Sequence, residues 1–252
     1  MPIHTTIADR VAEIVIDHPP VNALDLAGWR ALADALTAVG RRDDVGAAVL
    51  RANGRGFCAG VDIKELTANP RLIVEVNRAC HDAFAAVYNC PVPVIAAAHG
   101  FVLGGGIGLV GAADLIVSAE DATFGLPEID RGAMGAATHA MRMFGMHAAR
   151  RMLLTGEPIG AAEAYRLGPL EPLVPAAELR DAALALAGTI ASKSRVAVRL
   201  AKESLNGIEL LDVPRSYRFE QGFTLELYTS SDSQEARDAF VERRDASWER
   251  GR

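Results

Sequence analysis

Ala96-Ala97-Ala98-His99-Gly100-Phe101-Val102-Leu103-Gly104-Gly105-Gly106-Ile107-Gly108-Leu109-Val110-Gly111 continues a β-branched run, Val92-Pro93-Val94-Ile95. It then loses its side chains at Gly104, Gly105, Gly106 and Gly108. Glycine costs backbone entropy, so a run of three needs a reason. Either two backbones pack closely, or bare N–H groups face a ligand. Gly106-Ile107-Gly108-Leu109-Val110-Gly111 also fits the dinucleotide pattern G-x-G-x-x-G. A dinucleotide fold needs that turn to open a full crossover helix. Here the next strand, Leu115–Ala119, begins after only three intervening residues, so the glycines must themselves form a short helix and a nucleotide cofactor is not expected.

A second glycine site lies upstream. Ala59-Gly60-Val61-Asp62 reads as a strand end followed by a helix start, with Asp62 as the cap. Both sites place free N–H groups and a positive dipole end at a helix start. Two such donors meeting at one carbonyl oxygen would stabilise an enolate or tetrahedral oxyanion.

Around these sites the pattern alternates strand and helix. Residues 10–17, 46–50 and 92–98 read as strands, and 26–39 and 72–87 as amphipathic helices, the first capped by Asp25. Residues 123–135 read as loop, and the chain reads as almost wholly helical after Met146. The expectation is an α/β core over residues 1–200 and a helical segment over 201–252 that serves packing or oligomerisation.

The charge balance, 26 basic against 32 acidic residues, gives −6 with the signs interspersed, which argues against a nucleic-acid face. Cys58, Cys80 and Cys90 show no metal spacing and suit a reducing compartment, so neither a metal nor a disulfide is expected. No leader pattern or membrane-length apolar run is visible, and a cytoplasmic location follows as the expectation.

Several stretches together carry a family resemblance. They are Val21-Asn22-Ala23-Leu24, the run Gly56 to Glu65, Gly100 to Gly108, Thr123 to Ile129, Leu154-Thr155-Gly156 and, at the C-terminal end, Ser231 to Glu235 with Ala239 to Arg244. On these the chain resembles the crotonase (enoyl-CoA hydratase/isomerase) superfamily along nearly its whole length. The resemblance implies a ββα spiral core with a helical C-terminal trimerisation region, assembled as a trimer or a dimer of trimers. It implies acyl-CoA substrates, with coenzyme A as part of the substrate and no other cofactor. The N–H groups of Val61 and Gly105 would hold the thioester oxygen. Ala59, Asp62, Ile63 and Gly104 would line the substrate site, Lys64 would meet the CoA phosphates, and Glu128 would be the catalytic carboxylate.

One departure stands out. Hydratases of the family use two glutamates, and the first falls on Gly108 here. Within the superfamily, the glycine stretch, Phe124 to His139 and Ser216 to Thr224 resemble the steroid-degrading enzymes that open a ring by adding water across a carbon–carbon bond. That resemblance adds Gly108, Asp130 and Arg131 to the expected substrate site. The competing expectations are a Δ3,Δ2-enoyl-CoA isomerase, an enoyl-CoA hydratase of β-oxidation, and a non-catalytic CoA-binding scaffold. His139 and His99 read as structural, Asp114 as a cap or ion-pair partner, Tyr217 and Arg218 as residues that could reach the pocket, and Glu242-Arg243-Arg244-Asp245 as a solvated face or subunit contact.

Overall fold

A computed structural model describes residues 2–193, 195–208, 213–229 and 231–244. Strands β1 (Ile3–Ala8) and β2 (Val11–Ile16) form an antiparallel hairpin whose turn residues Asp9 and Arg10 both have positive φ. β3 (Ala23–Leu24) leads to α1 (Leu26–Gly40), where Gly28 N–H donates to the Asp25 carboxylate at 2.7 Å, so the expected cap forms. Next come β4 (Ala47–Ala52), β5 (Gly60–Val61), α2 (Ile63–Ala68) and α3 (Ile73–Tyr88). β6 (Val94–Ala98), β7 (Phe101–Leu103) and α4 (Gly105–Ala112) follow, then β8 (Leu115–Ala119), β9 (Thr123–Gly125) and α5 (Ala137–Thr155).

The large sheet runs β1-β2-β4-β6-β8 and ends on β11 (Leu173–Val174); a small sheet holds β10 (Ile159–Gly160), β9 and β7, and β3 pairs with β5. The Cys58↔Val102 bridge ties the β5 segment to β7. The chain therefore steps from the large sheet to the small layer and into a helix three times: β4–β5–α2, β6–β7–α4 and β8–β9–α5. This repeat is the expected ββα spiral. Parallel strands need a crossover between them, and these units supply it.

The central strands β2, β4 and β6 are buried on both faces, which is why they read as largely apolar, β6 without a break. Ala47, Val49, Ile95, Ala97 and Val117 face α7 (Leu179–Ala191), which follows α6 (Ala161–Leu167) and presents Ala183, Ala187 and Ala191. Ala48, Leu50, Ala96 and Ala98 face the larger core with Trp29, Phe57 and Ile107. Small residues on α7 let it lie close: a Cβ on Gly46 would sit 3.0 Å from Ala191 Cα.

The chain ends in α8 (Arg195–Ile208), α9 (Val213–Tyr228) and α10 (Ser231–Glu242). The sequence reading missed β1, β7 and β9, as well as the short β3, β10 and β11. β1 has mostly exposed side chains, and the others are two or three residues long, too brief for periodicity to register. α5 begins at Ala137 and runs into the expected helical region, which β10 and β11 interrupt to pair with β9 and β8.

Candidate active site

α4 has no side-chain cap; its N-cap is Gly104, at φ +53, where a residue with a side chain would be strained. Gly108 N–H donates to Gly104 O at 3.2 Å, so the first N–H groups of α4, beginning with Gly105, have no acceptor within the helix. β5 approaches from the other side. On its β3 flank Ala59 N–H donates to Val21 O at 3.2 Å and Asp62 N–H to Leu24 O at 3.0 Å. A Cβ on Gly60 would lie 3.2 Å from Gly105 N, so the two donor segments are adjacent. Asp62 caps α2, accepting from Lys64 N–H at 2.9 Å.

Glu128 comes from a 3-10 turn, Pro127–Arg131, that ends on left-handed Gly132. Ala133 N–H donates to Glu128 O at 3.0 Å and closes the turn. The side chain folds back over the glycine stretch: a Cβ on Gly104 would fall 1.8 Å from Glu128 Oε1. Sequence positions 104 and 128 are thus in contact, with the carboxylate beside the start of α4.

These groups line a cavity of about 390 Å³. Its wall includes Ala59, Val61, Asp62, Ile63 and Lys64 on one side, and Gly104, Gly105, Glu128 and Arg131 on another. Apolar wall residues include Leu66, Val76, Phe84 and Met134. Among the described lining residues the carboxylates are Glu128 and Asp62, and Asp62 is engaged as a cap. Among the described residues, no group of three or more His, Cys, Asp or Glu could hold a metal. No described helix is long and apolar enough to cross a membrane.

Two expected substrate residues lie outside this wall. Asp130 is exposed and sits against Gly156, where a Cβ would come within 2.7 Å of its Oδ2. It follows Glu128 by two positions on a tight turn and points elsewhere. Gly108 is buried behind the Phe84 ring, and a Cβ there would lie 2.3 Å from Phe84 Cζ. Phe84 itself is wedged between aromatic rings, with centroids 5.6 Å from Trp29, 5.0 Å from His139 and 5.3 Å from Tyr217. The place where the first glutamate of a hydratase would project is filled by this ring. Gly108→Ala should therefore destabilise the protein by about 1–3 kcal/mol through overpacking. Denaturant unfolding checks this. Combining it with Phe84→Leu should recover part of the loss, and strictly additive effects would contradict the contact.

His99 and Asp114 have structural partners. His99 Nε2 lies 3.0 Å from Gly54 O, and Asp114 accepts from Val94 N–H and from Lys202 Nζ at 2.6 Å. Tyr217 lines the cavity, whereas Arg218 is exposed. Ser216 and Phe219 belong to α9, but their side chains lie outside the described set, as does Asp245. His139 is fully buried, and neither ring nitrogen has a hydrogen-bond partner. Burial, with help from the Arg142 and His81 charges, pushes its pKa down to about 3. The folded state thus binds this proton less readily than the unfolded chain, and the associated stability, present above pH ~6.5, is lost as pH falls toward 3. The slope from this group should approach ~1.4 kcal/mol per pH unit. His139→Phe should flatten stability between those pH values, and an unchanged slope would contradict the assignment.

The sequence reading expected Tyr217 from the C-terminal region but missed the rest of its contribution to the wall. Thr224 and Tyr228 of α9 and Arg237 and Phe240 of α10 all line the cavity. Helical periodicity showed apolar faces there but could not tell a cavity wall from a subunit contact.

The comparisons agree with this architecture. The model of the enoyl-CoA hydratase/isomerase family matches residues 6–251. A relative from Rhodococcus jostii, named (7aS)-7a-methyl-1,5-dioxo-2,3,5,6,7,7a-hexahydro-1H-indene-carboxyl-CoA hydrolase, is 49% identical over 94% of this chain and 93% of its own. A protein of the same name from Mycobacterium tuberculosis is 49% identical over 96% of this chain and 100% of its own. The crystal structure of an enoyl-CoA hydratase/isomerase from Xanthobacter autotrophicus superimposes with a TM-score of 0.89 at 26% identity, covering 96% of this chain and 93% of that one. Matched along nearly its whole length in family, relatives and fold, the chain belongs to the crotonase (enoyl-CoA hydratase/isomerase) family.

Proposed function

We propose that this protein is an acyl-CoA hydrolase that opens a ring of a bicyclic diketone CoA ester in steroid breakdown. The observation that carries the reading is the pairing of Glu128 with a blocked position 108. Addition of water across a double bond by two carboxylates finds no carboxylate at position 108 here, where Phe84 occupies the space. A single base beside an oxyanion site suits a hydrolytic retro-Claisen step. Glu128 takes a proton from water, and the resulting hydroxide adds to the ring ketone carbon. The carbon–carbon bond to the neighbouring ring carbon then breaks, and its electron pair moves through the conjugated system onto the thioester oxygen. Val61 and Gly105 N–H groups hold that enolate until Glu128 returns its proton to carbon, and the former ketone carbon, still tethered through the opened ring, becomes a carboxylic acid that loses its proton to solvent.

The names of the two relatives at 49% identity support this substrate class. The apolar wall of Leu66, Val76, Phe84 and Met134 suits a hydrocarbon ring, and Lys64 at the exposed rim suits a CoA phosphate. The reading includes a cytoplasmic trimer or hexamer that needs no cofactor beyond the CoA of its substrate. Exposed Leu200 and Leu205 on α8, and Leu154 on α5, offer apolar surface for such contacts.

The test offers the enzyme crotonyl-CoA and the bicyclic CoA ester side by side and follows both by mass spectrometry. Ring opening with negligible crotonyl-CoA hydration is expected. Fast crotonyl-CoA hydration without ring opening would overturn the reading. Double-bond migration in a 3-enoyl-CoA, again without ring opening, would favour an isomerase.

A further inference from the structure

Arg237 is buried in the cavity wall, only 4% exposed. Its guanidinium lies 3.8 Å from the Tyr228 ring centroid. Its hydrogen bonds go to the Tyr228 carbonyl at 3.3 Å, the Ser233 hydroxyl, and Gln234 Oε1 at 2.7 Å. All three acceptors are neutral, and among the described residues no carboxylate pairs with it. These bonds leave part of the guanidinium's N–H fork uncommitted. A buried cation without a counter-ion is costly, so a site that keeps one is expected to meet an anion.

Its position names the anion. α10 rests directly on the turn that carries Glu128: a Cβ on Gly132 would lie 2.1 Å from Ser233 Cα, one helical turn before Arg237. Arg131, on the same turn, lies 4.9 Å from the Phe240 ring of α10. The cation thus lies between the Glu128 turn and α2, because the Tyr228 hydroxyl beneath it donates to Leu66 O of α2 at 3.4 Å, whereas Lys64 is exposed at the rim. The proposed reaction starts with a neutral ketone near Glu128 and leaves a carboxylate there.

We infer that Arg237 binds the carboxylate released from the ring ketone, setting the site's preference for a ring-opened, acid-bearing CoA ester. The inference rests on the ring-opening reading. Water supplies the oxygen, the broken carbon–carbon bond supplies the electron pair for the enolate, and the new acid ionises against the guanidinium. A bidentate arginine–carboxylate contact has the geometry and strength to discriminate this product from an uncharged analogue.

The test measures binding of the ring-opened CoA product and of its methyl ester at the new carboxyl, by calorimetry, to wild type, Arg237→Gln and Arg237→Lys. Wild type should bind the acid about 10- to 100-fold more tightly than the ester. Arg237→Gln should bind both with the affinity of the ester, and Arg237→Lys should keep part of the preference. Butyryl-CoA binding, which involves no carboxylate, should be unchanged in both variants and reports an intact site. Should Arg237→Gln fail to bind butyryl-CoA, Arg237→Lys decides, and full wild-type discrimination there would overturn the inference. Full discrimination in an intact Arg237→Gln would also overturn it, as would equal binding of acid and ester by wild type. Absence of ring opening by wild type would instead defeat the reading on which the inference rests.

Discussion

Glu128→Gln should lower turnover of the bicyclic CoA ester by about a hundred- to ten-thousandfold, the range for losing a positioned general base. Binding of CoA esters should persist, because the amide is close in shape and the donors proposed at Val61 and Gly105 are backbone groups. Rapid-quench turnover and calorimetric binding, measured on the same preparation, check both halves. A variant that retains wild-type turnover would remove Glu128 from the chemistry. A variant that loses binding and turnover together would show that the carboxylate holds the site in shape. The expectation rests on the contact between Glu128 Oε1 and Gly104, which places the carboxylate beside the start of α4.

Gly105→Val should be as damaging by a different route. A Cβ at this position would lie 2.6 Å from Trp29 Cη2 and 2.7 Å from Cζ2, and Trp29 is fully buried in α1. The ring has nowhere to move without displacing the core, so α4 itself must shift. That shift moves the Gly105 N–H away from Val61. Losing one oxyanion donor costs about a hundred- to a thousandfold in kcat. Overpacking should add a stability loss of about 1–3 kcal/mol, visible in thermal unfolding. A variant with wild-type kcat would show that this N–H does not carry the developing charge. The two substitutions should differ in stability: Glu128→Gln should melt close to wild type, and Gly105→Val well below it.

Much of this was legible in the chain because the signals were local. Three residues between Gly111 and Leu115 left no room for a crossover helix, so the glycines had to open a short helix of their own, and α4 does. Asp25 and Asp62 each precede a helical run and each caps it through a side-chain oxygen. Glu128 follows a proline in an otherwise apolar loop, and the turn places it in the cavity.

The rest depended on contacts between distant segments. Phe84 reads as one more apolar position on α3, and nothing nearby in sequence shows that its ring fills the space over Gly108. Asp130 lies two positions from Glu128, and only the 3-10 geometry of the turn sends it to Gly156. Arg237 sits in a polar, charged helix, where an arginine ordinarily faces solvent. It is buried because the backbone of α10 docks on side-chain-free Gly132.

The central claim is that this site, with one usable carboxylate and two backbone donors, breaks a carbon–carbon bond rather than hydrating a double bond. The most direct test turns over the bicyclic CoA ester in oxygen-labelled water and locates the label by tandem mass spectrometry. The account predicts one labelled oxygen in a new carboxylate, with the ring ketone gone. Label in a hydroxyl group on an unbroken ring, with both ketones retained, would contradict it.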